Sequence, residues 1–243
     1  MLTPQEHYET FLAEKYSWMI GDADQKEAEA AELFRSWGIS PMGNRIAWDL
    51  GAGSGVQSFP LARLGFRVLS LDLSSKLLNE LSSRNVGLNL ETREADITAP
   101  SLYAGECPEL LVCMGDTLTH LESKTSVRKL FRLWGSFLKS GARFALGYRD
   151  LGRGKIGEKV GFPVRVERNR IFSCILSFEE DKVLVTDLYH EWDGNLWNFT
   201  TSSYCKLILP EAKILEWADE SGFSLRQQGE SKGMSLFLFE RNG

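Results

Sequence analysis

Histidine is scarce in this chain, and cysteine is spaced too widely for a zinc site. The 243 residues include three histidines, none close to another in sequence: His7, His120 and His190. The four cysteines lie 6, 61 and 31 positions apart, at Cys107, Cys113, Cys174 and Cys205. Without a Cys-x-x-Cys pair or a histidine pair, we predict no metal site. Thiols in apolar surroundings instead favour a reducing, cytoplasmic compartment.

Long hydrophobic runs and an excess of basic charge are also missing. No run approaches the 18 apolar residues of a membrane span, and the first seven residues show no export signal. Twenty-eight Lys and Arg against 33 Asp and Glu give a net charge of −5, which disfavours a protein that follows nucleic acid by charge. We therefore expect neither a nucleic-acid partner nor a membrane partner, and the sequence does not indicate an oligomeric state.

The composition that remains is typical of a globular domain. Hydrophobic residues make up 43% of the chain and charged residues 25%. A chain of this length buries roughly 70% of the surface that its unfolded form exposes, so it can hold a core without disulfides. Since there is no internal repeat and no low-complexity linker, we predict one domain over residues 1–243.

Short apolar runs alternate with helical segments through the first two thirds of the chain. Predicted strands are 46–50, 67–71, 88–93, 110–114 and 142–147, and predicted crossover helices are 57–64, 74–84 and 124–138. This alternation predicts a doubly wound α/β domain with a mostly parallel sheet. A helical segment, residues 1–43, precedes it.

The pattern changes after Tyr148 to a period of two. Strands are predicted at 170–178, 182–190 and 197–209, with a hairpin signal at Asp193-Gly194. We therefore expect an antiparallel β insertion, a cap over residues 150–209, followed by a helix from Pro210 and two last strands.

A glycine-rich loop, Asp49-Leu50-Gly51-Ala52-Gly53-Ser54-Gly55, follows the first predicted strand. Glycines there allow a ligand to touch bare backbone. A dinucleotide fingerprint fails because Val56 stands where its third glycine belongs, and the Gly-Lys-Ser/Thr of a phosphate loop is absent.

The spacing Asp-x-Gly-x-Gly-x-Gly, followed by Asp72, Ala95-Asp96-Ile97 and Cys113-Met114-Gly115-Asp116, resembles the class I S-adenosylmethionine-dependent methyltransferases that act on small molecules. The resemblance implies a seven-stranded Rossmann-like sheet. It implies that Asp72 receives the ribose hydroxyls, that Asp96 receives the adenine amino group and that the fourth strand leads to the substrate. Asp49 beside open backbone suits a cofactor that carries a sulfonium and an ammonium group.

The resemblance also gives a set of site residues. The implied cofactor-binding residues are Tyr16, Asp49, Gly51, Ala52, Gly53, Gly55, Asp72, Leu73, Asp96, Ile97 and Met114. Candidates for a catalytic or substrate-facing role are Asp116, Tyr148, Arg149 and His190. The N-terminal segment 1–43 resembles a lid over the cofactor, and the β insertion resembles the extra lobe of glycine N-methyltransferase-like enzymes. The missing Asn/Asp-Pro-Pro-Tyr signature disfavours a DNA-base acceptor.

Each of these residues also has an alternative explanation in which it serves only the fold. Asp72 could cap the helix at Ser74, Asp96 could form an ordinary turn, and Asp116 could cap a short turn. His120 is expected to pack with Leu118 and Leu121, and His190 is expected to lie at a solvated hairpin. Two further pairs also have structural alternatives to a functional role: Tyr148 and Arg149 could hold the end of a strand, and Trp192 and Trp197 could pack in the hairpin.

The sequence thus favours S-adenosylmethionine-dependent methyl transfer to a small-molecule acceptor, in which positioning replaces a covalent nucleophile. A non-catalytic cofactor-binding module and a nucleotide-dependent oxidoreductase are the alternatives. The segment from Arg149 to Arg170 contains seven basic and three acidic residues, which gives it a local charge of +4. This segment suggests either an anionic acceptor or a solvated loop.

Overall fold

The computed structural model describes residues 2–243 and contains two β-sheets. The larger sheet comprises β1 (Ile46–Leu50), β2 (Arg67–Asp72), β3 (Leu90–Glu94), β4 (Leu110–Cys113), β5 (Arg143–Tyr148), β10 (Phe223–Ser231) and β11 (Met234–Arg241). The smaller sheet comprises β6 (Lys159–Val166), β7 (Arg170–Phe178), β8 (Lys182–Trp192) and β9 (Trp197–Leu207). We call the smaller sheet the cap sheet.

The helices lie around the larger sheet and ahead of it. They are α1 (Pro4–His7), α2 (Ala13–Ile20), α3 (Ala23–Ser36), α4 (Ser58–Arg63), α5 (Ser75–Arg84), α6 (Lys124–Phe137) and α7 (Glu211–Glu220). A π-helical turn, Tyr8–Leu12, joins α1 to α2, so residues 4–20 form one irregular helical segment, the N-terminal helix. Short 3₁₀ turns are Pro100–Ala104 and Thr117–His120. Within residues 2–243 no helix is long and apolar enough to cross a membrane.

The larger sheet has the order β10-β11-β5-β4-β1-β2-β3. Strands β1 to β5 pair in parallel, whereas β11 runs antiparallel to β5 and to β10. The order reverses between β1 and β4, and ligands bind at such a switch point beyond the carboxyl ends of the strands. The predicted doubly wound, mostly parallel seven-stranded sheet with an antiparallel insertion is confirmed.

Strand β6 corrects the expectation of a loop before Arg170. Its sequence contains Gly161 and Pro163, which weaken the strand signal. In the structure β6 is an edge strand, and its register with β7 shifts between Pro163 and Arg165. A proline is tolerated there because an edge strand leaves one row of backbone groups unpaired.

The N-terminal helix packs against the cap sheet through apolar and polar contacts. Phe11 and Leu12 share a buried cluster with Phe172 and Tyr189 of the cap sheet. His7 is fully buried, with Nδ1 at 2.8 Å from Ser202 Oγ and Nε2 at 3.1 Å from an oxygen of Asp187. These contacts hold the helix over the carboxyl ends of β1 and β2.

Candidate functional site

A cleft of about 280 Å³ lies beyond the carboxyl ends of β1, β2 and β3, under the N-terminal helix. This volume is slightly below the range of about 300–1,000 Å³ for small-molecule sites. The residues that line it are Thr3, Pro4, Gln5, Tyr8, Glu9, Tyr16, Gly51, Gly53, Asp72, Leu73, Ser74, Leu77, Ala95, Asp96, Ile97, Gly115, Thr117, His120 and Leu121. Seven of the predicted cofactor residues are among them: Tyr16, Gly51, Gly53, Asp72, Leu73, Asp96 and Ile97.

Gly53 and Gly55 of the loop have different surroundings, although each has a positive φ. A Cβ at Gly55 would lie 2.8 Å from Phe59 and 2.9 Å from Leu81, so this glycine is required by packing behind the loop. A Cβ at Gly53 would find only Tyr16, at 3.7 Å, and Leu77, at 4.0 Å. Gly53 therefore presents bare backbone to the cleft.

Asp72 connects the glycine loop to the second crossover. Its Oδ2 accepts a hydrogen bond of 2.8 Å from the Gly53 amide, and its Oδ1 accepts one of 2.8 Å from the Ser74 amide. The cap of α5 is the Ser74 side chain, which accepts from the Leu77 amide. Burial raises the pKa of Asp72, against the effect of these amides. The Asp72 carboxylate thus lies at the cleft wall with its orientation fixed.

Asp49 lies behind the loop, outside the cleft lining. It is 1% exposed, and its Oδ2 accepts a hydrogen bond of 2.6 Å from Ser58 Oγ, which in turn accepts from Ser70 Oγ at 2.7 Å. Burial raises its pKa to about 7. Asp49 therefore holds the start of α4 against β1 and shapes the loop from inside the sheet.

Three other predicted cofactor residues also lie outside the cleft lining. Ala52 packs with Phe59 in a buried cluster, and Gly55 meets the same ring. Met114 is 7% exposed, and a Cβ at Gly147 would lie 2.7 Å from its Cε. These three residues therefore pack in the core behind the cleft instead of lining it.

Asp96 and Ile97 follow β3 at the far wall of the cleft. Asp96 Oδ1 accepts from both the amide and the hydroxyl of Thr98, each at 2.8 Å, so the turn chemistry considered from the sequence is present. The Ile97 carbonyl accepts from the Tyr103 hydroxyl at 2.6 Å. These hydrogen bonds fix the backbone at Asp96 and Ile97, and both residues line the cleft.

The four catalytic candidates are not among the residues that line the cleft. Tyr148 is fully buried and stacks on Phe237, with ring centroids 6.1 Å apart. His190 packs on Phe199 in the cap sheet at 4.8 Å. Arg149 is half exposed, with Nε at 3.7 Å from Asp116. Their strand positions alone did not determine which way these side chains turn.

Asp116 joins the loop after β4 to the cap sheet. It adopts a left-handed conformation, φ 78°, and accepts from the Arg149 amide at 2.6 Å and from Lys206 Nζ at 2.9 Å. Burial acts to raise the pKa of Asp116, but the Lys206 ammonium outweighs it and holds the pKa at about 2. This buried pair, the Asp116–Lys206 clamp, fixes the loop Gly115–His120 against β9.

His120 is a cleft residue that sequence reasoning assigned to packing. Its ring lies 5.6 Å from the rings of both Tyr8 and Tyr204, and both ring nitrogens are buried without a hydrogen-bond partner among the described residues. Burial, and then the charge of Lys206, lowers its pKa to about 3. The ring is therefore neutral and free to bond a ligand, and its place after the fourth strand was the signal that could have identified it.

The sequence also missed Tyr8 and Glu9, which reach the cleft from the N-terminal helix. Tyr8 lies 6.0 Å from Tyr16, ring to ring, and burial raises the pKa of Tyr16 to about 12. The cleft lining contains three carboxylates, Glu9, Asp72 and Asp96, and no lysine or arginine. Such a lining favours cations and hydrogen-bond donors over phosphates. Among residues 2–243 there is no group of three or more ligand-type side chains arranged for a metal ion.

Comparisons with known proteins agree with this geometry. A family model described as "Methyltransferase domain" matches residues 47–141. The "Ubiquinone biosynthesis O-methyltransferase" of Xanthomonas axonopodis pv. citri (strain 306) is 28% identical over 148 residues, 58% of this chain and 60% of that protein. The alignments span 35 to 60% of the length of the curated relatives.

Solved structures share the fold over nearly the whole chain. The CcbJ methyltransferase from Streptomyces caelestis has a TM-score of 0.78 at 16% identity, with 95% of each chain covered. An S-adenosylmethionine-dependent methyltransferase from Clostridium acetobutylicum ATCC 824 has a TM-score of 0.74 at 16% identity, with 95% of this chain and 96% of that chain covered. The chain thus contains a stretch that matches a methyltransferase domain, and it shares the fold of solved methyltransferases over nearly its whole length.

Proposed function

We propose that this protein binds S-adenosylmethionine in the cleft and transfers its methyl group to a small-molecule acceptor. The observation that carries the proposal is the cleft itself, in which the bare backbone of Gly53 faces a fixed Asp72 carboxylate at the switch point of the sheet. A wall of carboxylates and aromatic rings without basic side chains fits a cofactor that is cationic and carries no phosphate.

Each wall of the cleft has a part in this proposal. Asp72 accepts from the ribose, Asp96 and Ile97 hold the adenine, and Gly51 and Gly53 admit the methionine portion beside Tyr16. The bound cofactor supplies an already activated methyl group, so the residues need only orient the acceptor and exclude water. His120, neutral at physiological pH, is available as a hydrogen-bond partner for the acceptor.

The N-terminal segment and the cap sheet complete the proposal as covers of one domain over residues 1–243. We assign residues 1–43 as a lid and residues 150–209 as an inserted cap. Trp18 supports this assignment, because its carbonyl accepts from Arg165 and its ring stacks under Arg170 at 4.7 Å. An enclosed cleft would keep water from the reacting atoms.

The proposal also includes the charge of the acceptor, which we propose to be anionic. Of the basic segment, Arg165 and Arg170 are paired with Glu167, so they serve the fold. Arg149 carries the idea, since it follows β5 next to Asp116 and is half exposed. Arg149→Ala should then raise the acceptor KM more than the cofactor Kd, and equal turnover of a neutral acceptor by the variant would reject the idea.

We also propose a cytoplasmic location, because the chain contains buried free thiols. Cys113 and Cys174 are buried, and burial raises the pKa of the Cys174 thiol to about 12, so neither is primed for oxidation. The non-catalytic module and the nucleotide-dependent oxidoreductase are the competing functions that binding assays separate.

The test is isothermal titration with S-adenosylhomocysteine, followed by radiolabelled methyl transfer into a metabolite extract. Asp72→Ala should weaken binding by about 1.5–3 kcal/mol, the effect of losing charge-assisted hydrogen bonds. Absence of heat with the wild-type protein at high micromolar ligand would reject the cofactor. Binding without transfer to any acceptor would favour the module, and tight binding of a reduced nicotinamide would favour the oxidoreductase.

A further inference from the structure

We propose that Glu9, on the N-terminal helix, is a cofactor ligand that receives one of the two ribose hydroxyls, with Asp72 receiving the other. The inference rests on the proposed function, because it requires a nucleoside in the cleft. It adds a binding residue from the lid to a site otherwise built from strand ends.

The first argument is the number of acceptor positions on Asp72. An ionised carboxylate offers about four lone-pair sites. The amides of Gly53 and Ser74 occupy two of them, one on each oxygen, at 2.8 Å each. One site remains on each oxygen, so a ribose diol that donated both hydroxyls to Asp72 would fill every acceptor position of this carboxylate. A second acceptor at this wall of the cleft takes one of those donors.

Glu9 provides that acceptor. It lines the cleft, and its Oε1 is buried without a hydrogen-bond partner among residues 2–243. Asp72 lines the same cleft, and the charge of Glu9 adds to the effect of burial that raises the pKa of Asp72. A buried carboxylate oxygen without a partner is costly unless a ligand donor occupies it.

The local backbone explains why Glu9 reaches the cleft. Tyr8 and Glu9 are adjacent residues, yet both line it, because the helix widens to a π-turn between Tyr8 and Leu12. Such π-turns are frequent at functional sites. Lys76 does not neutralise the Glu9 carboxylate: its Nζ bonds the Glu9 carbonyl at 3.0 Å and the Glu14 carboxylate at 3.2 Å.

Binding and lid closure are consequently linked. Two carboxylates that line one cleft repel each other, whereas a diol that donates to both removes this repulsion. Ligand binding therefore removes a penalty that the closed N-terminal helix otherwise carries. Glu9 is the residue through which the lid senses an occupied site.

The test combines protein variants with altered ligands in isothermal titration. Wild type, Glu9→Ala and Glu9→Gln are titrated with S-adenosylhomocysteine and with its 2′-deoxy and 3′-deoxy analogues. Glu9→Ala should weaken S-adenosylhomocysteine binding by roughly 10- to 100-fold, with Glu9→Gln in between. Removal of one of the two hydroxyls should weaken binding to wild type but should change binding to Glu9→Ala by less than about twofold.

Glu14→Ala is the matched control, because Glu14 is an acid on the same helix with its side chain 75% exposed. It should bind S-adenosylhomocysteine within about twofold of wild type. If wild type binds but the losses from both deoxy analogues are the same in Glu9→Ala as in wild type, Glu9 is not a ribose ligand and the inference is overturned. If wild type itself does not bind, the proposed function is what fails.

Discussion

The Asp116–Lys206 clamp gives the sharpest test of how the cap sheet organises the cleft. Its two side chains are only 10% and 15% exposed, and they are 2.9 Å apart. Removing one partner of a buried ion pair leaves an uncompensated charge and costs about 3–5 kcal/mol. We therefore expect Lys206→Met and Asp116→Asn each to lower the free energy of unfolding by that order.

The double variant distinguishes an ion pair from two independent contacts. In Asp116→Asn/Lys206→Met neither charge is left unpaired, so the loss should be well below the sum of the single losses. Lys213→Met is the control, because Lys213 bonds Glu216 at 2.7 Å on the surface and should cost less than about 1 kcal/mol. Urea unfolding at pH 7 measures all four variants.

The clamp also has a pH signature. The Asp116 pKa is about 2 in the folded protein, below its unfolded value, so its contribution is present above pH 4 and is lost as pH falls towards 2. A displacement of this size corresponds to about 2–3 kcal/mol. The coupled pair would be refuted if the two single losses add up in the double variant. It would also be refuted if the unfolding free energy of Asp116→Asn falls with acid in the same way as that of wild type.

Three further predictions follow from the cleft and its surroundings. Gly53→Leu should abolish S-adenosylhomocysteine binding in isothermal titration while circular dichroism stays native, because its side chain would fill the cleft beside Tyr16; native binding would contradict close backbone approach. Saturating S-adenosylhomocysteine should slow hydrogen exchange in residues 8–21, and unchanged exchange would make the segment permanent scaffold. Burial raises the Asp49 pKa to about 7, so wild type should lose stability relative to Asp49→Asn as pH rises from about 4 through 7. Urea unfolding measures this, and the same difference in unfolding free energy between the two proteins at pH 5 and at pH 8 would exclude a raised pKa.

The sequence by itself determined the sheet and the end of it that holds the cleft. Alternating apolar runs and helices are local signals, and parallel strands joined by helical crossovers have one favoured handedness. Gly53 and Asp72 could be predicted because strand ends and glycines are visible in the chain. The edge strand β6 could not, since Gly161 and Pro163 are accepted only where the sheet leaves an edge open.

Only the tertiary structure decided which polar side chains face the cleft. Asp49 lies in a strand buried on both faces, so no alternation of polarity shows that its carboxylate bonds Ser58 inside the sheet. Glu9 and His120 face the cleft because a π-turn and the Asp116–Lys206 clamp orient them. These contacts join residues far apart in the chain, and packing between distant segments leaves no periodic signal in the sequence.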